Sequence, residues 1–218
     1  MKYYTIDWDY EDLNVIGNYP QVTIKDGYNP SLPEGHWQVK PHHFPNFIPN
    51  LELELHKNAN PTDLIEKHVN FGMMINQKFK NIIEKFKLPP HAFYPVKVYH
   101  KGEVLKYYWF HYIVDIWKYI DQKKSTIQVY KKFEFEIEDI IPISNIRNIE
   151  EFEKSLPRQK ELRVNKIYFN NSFPNYDIIK VSKIGYFESI ISESLLTLLE
   201  SSGTTGFKAK LFDKIACN

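Results

Sequence analysis

Cysteine, arginine and net charge are all scarce in this sequence of 218 residues. The single cysteine, Cys217, excludes an internal disulfide and is typical of a reducing compartment. Of the 28 basic residues only three are arginine, the side chain that binds phosphate and guanine with paired hydrogen bonds. The 27 acidic residues leave a net charge of +1, which gives no long-range field to attract nucleic acid. We therefore expect no nucleic-acid partner.

Long hydrophobic runs are absent as well. The longest apolar stretch, residues 104–120, is interrupted by Lys106, His111, Asp115 and Lys118. A membrane-spanning helix needs about 20 mostly apolar residues. Residues 1–7 also lack the apolar segment of a signal peptide. The sequence thus predicts a soluble, cytoplasmic protein with no membrane partner.

Aromatic residues are abundant, with 15 tyrosines, 15 phenylalanines and 4 tryptophans, and hydrophobic residues make up 43% of the chain. This composition is that of a folded protein and supplies large side chains for a core and for surface contacts. We expect a single α+β domain over residues 1–218. Its residues 1–70 are rich in aromatic side chains and turn signals, and the clearest periodic patterns follow them.

Two segments share the pattern of a capped helix, a turn and a strand. Apolar residues with a 3.6-residue period predict a helix over 75–86, capped by Asn76, and a strand over 93–99. The same pattern predicts a helix over 191–199, capped by Ser192 and stopped by Gly203, followed by a strand over 207–212. An offset of 116 residues superposes the two segments. Two explanations are open: an old duplication, or two unrelated segments that follow the same rules of helix capping and packing.

The region between these segments is rich in predicted strands. Residues 107–116 are β-branched and aromatic enough for a buried strand, with a helix as the alternative. Alternating apolar residues predict one half-buried strand over 127–137. A short helix over 149–156 and strands over 167–169 and 178–181 complete the pattern. The expected architecture is a largely antiparallel sheet with a few short helices packed against it.

A search for catalytic and metal-binding motifs finds none. His42 and His43 are the only adjacent histidines, and neighbouring side chains on a strand point to opposite faces. The sequence has no nucleophile elbow, and its Gly-Thr-Thr-Gly segment at 203–206 follows a helix, whereas phosphate loops precede one. The lysine-rich stretches are interleaved with acids, which is typical of a solvated face. We therefore predict no bound metal or cofactor and no enzymatic activity.

One cluster of acidic and aromatic side chains near the start of the chain is a candidate partner-binding site. Its members are Asp7, Trp8, Asp9, Tyr10, Glu11 and Asp12. Large aromatic anchors beside charges are typical of protein interfaces. The alternative is a solvated face beside one or two buried aromatic residues.

An ordered series of motifs covers roughly residues 71–213. The series is Phe-Tyr-Pro-Val at 93–96, Tyr-Tyr-Trp-Phe-His-Tyr-Ile at 107–113, Asp-Gln-Lys-Lys-Ser at 121–125, Ile-Tyr-Phe at 167–169, Ile-Ser-Glu at 191–193 and Gly-Thr-Thr-Gly-Phe at 203–207. It resembles the immunity proteins of bacterial polymorphic-toxin systems, in a family first catalogued as a domain of unknown function. The sequence departs from that family at Lys118, where a second aspartate is frequent, and at 167–169, where Ile-Phe-Arg is usual.

This resemblance implies a cytoplasmic protein that binds the toxic domain of a cognate secreted bacterial effector. Inhibition would come from covering the active site of the toxin or from locking its conformation, and it needs no catalytic residue. Two other readings remain open. One is a small hydrolase or transferase whose site has no sequence signature, and the other is a stable scaffold or regulatory module, with or without a nucleic-acid ligand.

Overall fold

The structure, a computed structural model, describes residues 2–181 and 189–216 and is an α+β fold of largely antiparallel sheets with short helices. This confirms the predicted fold class. The strands are β1 (Tyr3–Trp8), β2 (Val22–Ile24), β3 (Glu52–Leu55), β4 (Leu64–Ile65), β5 (Met73–Asn76), β6 (His91–His100), β7 (Glu103–Tyr112), β8 (Thr126–Lys131), β9 (Glu136–Pro142), β10 (Lys160–Lys166), β11 (Ile178–Ile179), β12 (Ser189–Ser192) and β13 (Phe207–Leu211). The α-helices are α1 (Leu13–Ile16), α2 (Gln77–Ile83), α3 (Ile149–Ser155) and α4 (Glu193–Ser201). Cys217 lies outside the described residues.

The chain divides into two compact units. Unit 1 comprises Met1–Thr5, Asp115–Glu193 and Lys210–Asn218. Unit 2 comprises Ile6–Val114 and Ser194–Ala209. The single domain expected over residues 1–218 stays a prediction.

Unit 2 contains a six-stranded sheet in the order β2-β3-β6-β7-β5-β4, in which β3 pairs parallel with β6 and the other pairs are antiparallel. Strands β6 and β7 form a long hairpin in which Tyr94 lies opposite Trp109. Side chains that lie opposite each other share a face of the sheet, and this face is buried. Its core residues are Val22, Val39, Leu51, Leu53, Leu55, Ala59, Ile65, Val69, Met74, Tyr94, Val96, Val98, Tyr107 and Trp109.

The helix predicted over 75–86 is present, but it is shorter. Asn76 is its N-cap, and the Asn76 side chain accepts the amide hydrogen of Phe79 at 3.0 Å. A capping residue has an extended backbone, so the chain before it continues the strand β5 and Ile75 pairs with Tyr108. The predicted strand over 93–99 is confirmed as part of β6. The strand predicted over 107–116 is confirmed as far as Tyr112, which rules out the helical alternative there.

Unit 1 contains a three-stranded antiparallel sheet in the order β10-β8-β9. The single strand predicted over 127–137 is wrong, because the chain turns back at residues 132–135 and forms the β8–β9 hairpin. Phe135 adopts a left-handed backbone with φ of 56° in this turn. The turn contains no glycine, proline or asparagine, so the sequence carries none of the usual signals for it.

The predicted helix over 149–156 and part of the other predicted strands of unit 1 are confirmed. The helix predicted over 149–156 is α3, capped by Asn148. Strand β11 confirms the start of the strand predicted over 178–181, whereas residues 167–169 form two isolated bridges and the strand β10 just before them was missed. The buried core of this unit consists of Tyr3, Ile116, Ile120, Ile127, Val129, Ile143, Leu162, Val164, Ile167, Phe173, Ile179, Val181, Ile190, Phe212 and Ile215.

The two capped helices begin from matching strand arrangements. Part of the six-stranded sheet has the order β4-β5-β7-β6, and the four-stranded sheet has the matching order β11-β12-β1-β13. Leu64 pairs with Ile75 in the first arrangement, as Ile178 pairs with Ile191 in the second. The match therefore extends from the helices to the strands that precede them.

The match also extends to buried hydrogen bonds. Asp63 accepts the side-chain amide of Asn76 at 2.7 Å and its carbonyl accepts the Asn76 amide hydrogen at 2.9 Å. Asp177 accepts the Ser192 hydroxyl at 2.6 Å and its carbonyl accepts the Ser192 amide hydrogen at 2.9 Å. Helix capping alone does not demand an aspartate at these places, so the two segments share contacts beyond those of the predicted pattern.

Candidate functional site

The acidic members of the predicted cluster at Asp7, Trp8, Asp9, Tyr10, Glu11 and Asp12 already have partners within unit 2. Asp12 is the N-cap of α1 and accepts the amide hydrogens of Asn14 and Val15 at 3.0 and 3.3 Å. Asp9 accepts the amide hydrogen of Glu11 at 3.2 Å, and Asp7 lies 3.9 Å from the ammonium of Lys67. The carboxylates of Asp9 and Asp12 therefore fix the local chain path.

The aromatic members of the cluster lie against each other and against Tyr19, whose ring stacks on that of Trp8. Trp8 is buried, with its ring centroid 5.9 Å from that of Tyr19 and 6.2 Å from that of Tyr10. Lys208 lies 3.7 Å from the centroid of the Tyr10 ring and pairs with Glu11 at 2.9 Å. The hydrogen bond from Lys208 lowers the pKa of Glu11 below its ordinary value. Trp8 thus lies beneath a surface formed by Tyr10, Tyr19 and the Glu11–Lys208 pair.

Tyr10, Leu13 and Tyr19 are the exposed large apolar residues of this region. The buried position of Trp8 agrees with the alternative of a solvated face beside a buried aromatic residue. The role of residues 7–12 in binding a partner stays a prediction, and within it Tyr10 and Glu11 are the exposed members.

The motif at 203–206 is bound to a buried carboxylate of unit 2. Asp63 accepts the amide hydrogen of Thr205 at 2.8 Å, the Thr205 hydroxyl at 3.1 Å and the ammonium of Lys78 at 3.2 Å. Gly203 ends α4 with φ of 59°, as predicted for the helix stop. An amide that donates to Asp63 is not available to a phosphate, so the motif fastens the loop after α4 to the sheet.

The motif at 121–125 has a similar structural role in unit 1. Asp121 accepts the amide hydrogens of Lys123 and Lys124 at 3.1 and 3.3 Å. The fully buried Ser125 hydroxyl accepts the amide hydrogen of Tyr168 at 2.9 Å. These two of the motifs that carry the family resemblance therefore hold loops in place, and neither of them includes a large apolar side chain.

Two histidines of unit 2, His36 and His111, are buried and have lowered pKa values. His111 is fully buried among the rings of Phe44, Phe71 and Trp109, with centroids 5.0, 4.8 and 5.9 Å away. Burial lowers its pKa, which favours the neutral imidazole. His36 bonds through Nδ1 to the Tyr28 hydroxyl at 2.8 Å, and its pKa is lowered by burial and then by the nearby His68.

A cavity of about 170 Å³ adjoins these rings. Its lining residues are His36, Trp37, Val39, His68, Val69, Asn70, Phe71 and Trp109. No carboxylate, hydroxyl or thiol stands among these lining residues. The Tyr28 hydroxyl that reaches His36 donates its hydrogen to the Asn50 carbonyl at 2.6 Å, so the lining offers the cavity no nucleophile. The sequence did not predict this cavity, because its lining residues come from three separate segments of the chain.

We expect the stability of the protein to fall between pH 7.5 and pH 5.5. Because the folded-state pKa of His36 and of His111 lies below the unfolded value of about 6.5, the unfolded chain binds more protons in this window. The stabilisation is fully present about one pH unit above the unfolded pKa, near pH 7.5, and is lost as the pH falls through about 6.5 toward the folded-state pKa. The limiting slope is about 1.4 kcal/mol per pH unit for each histidine, measured by urea unfolding.

The substitution His111→Gln should make this pH dependence shallower. His43→Gln, at an exposed position, is the matched control and should leave it unchanged. Identical slopes in the wild type and in His111→Gln would show that His111 does not set the pH dependence.

The most exposed aromatic side chains of the described residues lie on the β8–β9 hairpin of unit 1. Phe133 is 80% exposed and Phe135 is 78% exposed, both in the turn, while Ile137 and Ile140 on β9 are 51% and 49% exposed. We call these four residues the hairpin surface. Lys131 stands beside them and pairs with Glu134 and Glu136, each at 2.7 Å.

The sequence did not reveal this surface. Alternation placed Phe133, Phe135 and Ile137 on the buried side of one strand together with Ile127 and Val129, of which the last two are buried. A turn after Lys131 removes the first three from the core, and neither hydrophobic periodicity nor a turn residue signals that turn.

Comparison with known proteins gives no family for this chain. No protein-family model matches it, and no curated protein matches it either. The assignment of a function therefore depends on the residues and their geometry.

Two further findings concern the described part of the chain. Within residues 2–181 and 189–216, no three histidine, cysteine, aspartate or glutamate side chains converge to hold a metal ion. In the same ranges, no helix is long and apolar enough to cross a membrane.

Proposed function

We propose that this chain is an immunity protein that binds a cognate bacterial toxin domain and neutralises it by covering its active site. The hairpin surface is the observation that carries this proposal. Two phenylalanines in a turn, each about four-fifths exposed, cannot serve the core of unit 1. The resemblance of residues 71–213 to polymorphic-toxin immunity proteins supplies the class of partner.

Large apolar side chains grouped on a surface support a binding role. Single exposed apolar residues are common, but a contiguous group of them marks an interaction site or an aggregation hazard. Protein interfaces draw most of their affinity from a few aromatic anchors that lose contact with water on binding. A hairpin turn also presents such anchors together, as insertion into the cleft of another protein requires.

The proposed function requires no chemistry from the chain itself. Occlusion of an active site needs a stable surface and a partner, and it works in the cytoplasm of the bacterium that makes the toxin. The small hydrolase or transferase remains the competing class, and no catalytic arrangement among the described residues favours it.

Co-expression with the toxin domain encoded beside the gene tests this proposal. We expect the wild-type chain to restore growth and to co-purify with the toxin domain. The double substitution Phe133→Ser and Phe135→Ser should weaken binding by about 100-fold or more, since two interface anchors are lost. Binding is measured by calorimetry with a catalytically inactive toxin domain.

A matched double substitution separates the two candidate surfaces. Tyr10→Ser with Glu11→Gln removes the exposed members of the predicted cluster 7–12, and circular dichroism checks that each variant is folded. If only this second variant loses affinity, residues 7–12 form the binding surface instead. Absence of both growth rescue and a complex with the wild-type chain would reject the proposed function.

A further inference from the structure

Strand β9 is the free edge of the three-stranded sheet in unit 1. The sheet order is β10-β8-β9, so β9 pairs with β8 on one side. Within residues 2–181 and 189–216, no strand pairs with its other side. Residues 136–140 are all exposed. A free edge of this kind presents backbone hydrogen-bonding groups that another extended chain can join.

Two apolar side chains of β9 belong to one face of this sheet. Ile137 lies opposite Tyr130, and Ile140 lies opposite Gln128 on the same strand β8. Residues opposite each other share a face, so Ile137, Tyr130 and Ile140 follow one another along the edge. Arg163 covers the Tyr130 ring at 3.3 Å from its centroid. The apolar part of the edge therefore continues toward the exposed phenylalanines of the turn.

The polar side chains of β9 are acidic. Glu136 pairs with Lys131 at 2.7 Å and Glu138 with Lys160 at 2.6 Å. Asp139 has no cationic partner among the described residues, and its carboxylate accepts the amide hydrogen of Ile140 at 2.7 Å. In the isolated chain this carboxylate shields one backbone amide of the edge, which is a usual protection against unwanted pairing.

The distribution of charge argues against a second copy of this chain as the occupant. Antiparallel pairing of two β9 strands about their middle residue places Asp139 opposite the Asp139 of the second copy. Like charges that lie directly opposite each other destabilise a strand pair. A strand that carries lysine or arginine would instead face Asp139 with opposite charge, which makes a basic segment the complementary partner.

We propose that β9 accepts an extended basic segment of the bound protein as an additional strand. This inference rests on the proposed function and names the part of the toxin domain that is recognised. Backbone hydrogen bonds form along the edge, apolar side chains of the segment cover Ile137 and Ile140, and a lysine or arginine replaces the Ile140 amide as the partner of Asp139. Phe133 and Phe135 then contact the body of the same protein.

Hydrogen exchange on the complex with the inactive toxin domain tests strand addition directly. We expect the amides of β9 that do not bond to β8, including the amide of Ile140, to become protected on binding. The substitution Asp139→Lys should weaken binding by about 10-fold or more, because it places like charge against a basic strand. Glu103→Lys is the matched control, since it makes the same change in net charge at an exposed site of unit 2 and should leave affinity within about 2-fold.

The outcomes of this experiment are separable. Protection of β9 together with the loss in Asp139→Lys supports the inference. Binding of the wild type without protection of β9, or with unchanged affinity of Asp139→Lys, overturns the inference and leaves the proposed function standing. A toxin-free dimer with protected β9 amides would make a second copy the occupant and also overturn it. Absence of any binding by the wild type rejects both proposals.

Discussion

Replacing Asp63 with alanine should lower the free energy of unfolding by about 3 kcal/mol, because three residues that donate hydrogen bonds lose one buried acceptor at once. The residue is 7% exposed, and its carboxylate accepts hydrogen bonds from Asn76, Lys78 and Thr205. At about 3 °C per kcal/mol for a chain of this size, the midpoint of thermal unfolding should fall by about 10 °C. Urea unfolding followed by circular dichroism measures the change.

Two controls define the role of Asp63. Asp121→Ala removes a carboxylate that accepts amide hydrogens in an exposed turn, and we expect it to cost about 1 kcal/mol. Asp63→Asn keeps the shape but places a donor toward the Thr205 amide, so its loss should lie between the two. A loss below about 1 kcal/mol in Asp63→Ala would mean that the 203–206 loop is held by other contacts.

The second large effect is expected from Gly206→Ala. Gly206 has φ of 83°, and a Cβ atom there would lie 2.2 Å from the Leu64 carbonyl oxygen and 2.5 Å from the Thr62 side chain. The left-handed backbone and the steric overlap together should cost about 3 kcal/mol. Thr62 cannot move freely, since its carbonyl accepts the Tyr107 hydroxyl at 2.6 Å. Thermal unfolding of the purified variant measures this loss.

Gly203→Ala is the control within the same motif. Gly203 also has a left-handed backbone, with φ of 59°, but a Cβ atom there would have no neighbour within 4 Å. Backbone strain alone should cost about 1 kcal/mol. Equal losses in the two variants would show that backbone conformation, and not the close approach to Leu64 and Thr62, makes glycine necessary at 206.

The two motifs at 203–206 and 121–125 contribute to the stability of the protein. The Gly-Thr-Thr-Gly segment and the Asp-Gln-Lys-Lys-Ser segment both bind buried backbone or carboxylate groups. Hydrogen bonds of this kind serve the fold and do not indicate what the protein binds. Under the proposed function, recognition depends on exposed residues, and the hairpin surface carries the two most exposed aromatic side chains of the described residues.

The candidate sites were predictable only in part. The cluster at 7–12 was found because aromatic and acidic residues alternate within six positions, and its Tyr10 and Glu11 are exposed. The hairpin surface was missed because Phe133 and Phe135 fit the alternation of a buried strand. Asp63 was missed because its partners Asn76 and Thr205 are distant in sequence, and a lone aspartate before two apolar residues carries no signal.

Local rules determined the elements of this protein from the sequence alone. Asn76 and Asn148 begin helices because their side chains accept free amide hydrogens, and Gly203 ends one because glycine tolerates a left-handed backbone. Each of these interactions joins residues a few positions apart, so the pattern of side chains specifies them. The fold class followed from the same local patterns.

Tertiary structure decided what those elements do. It placed β1 from the start of the chain between β12 and β13, turned residues 132–135 outward, and set Asp63 against Thr205. These outcomes depend on contacts between residues far apart in sequence. Such contacts stabilise the protein only once the tertiary structure has formed. Whether an apolar side chain is buried or exposed is settled at that stage, because burial is a property of the neighbours and not of the residue.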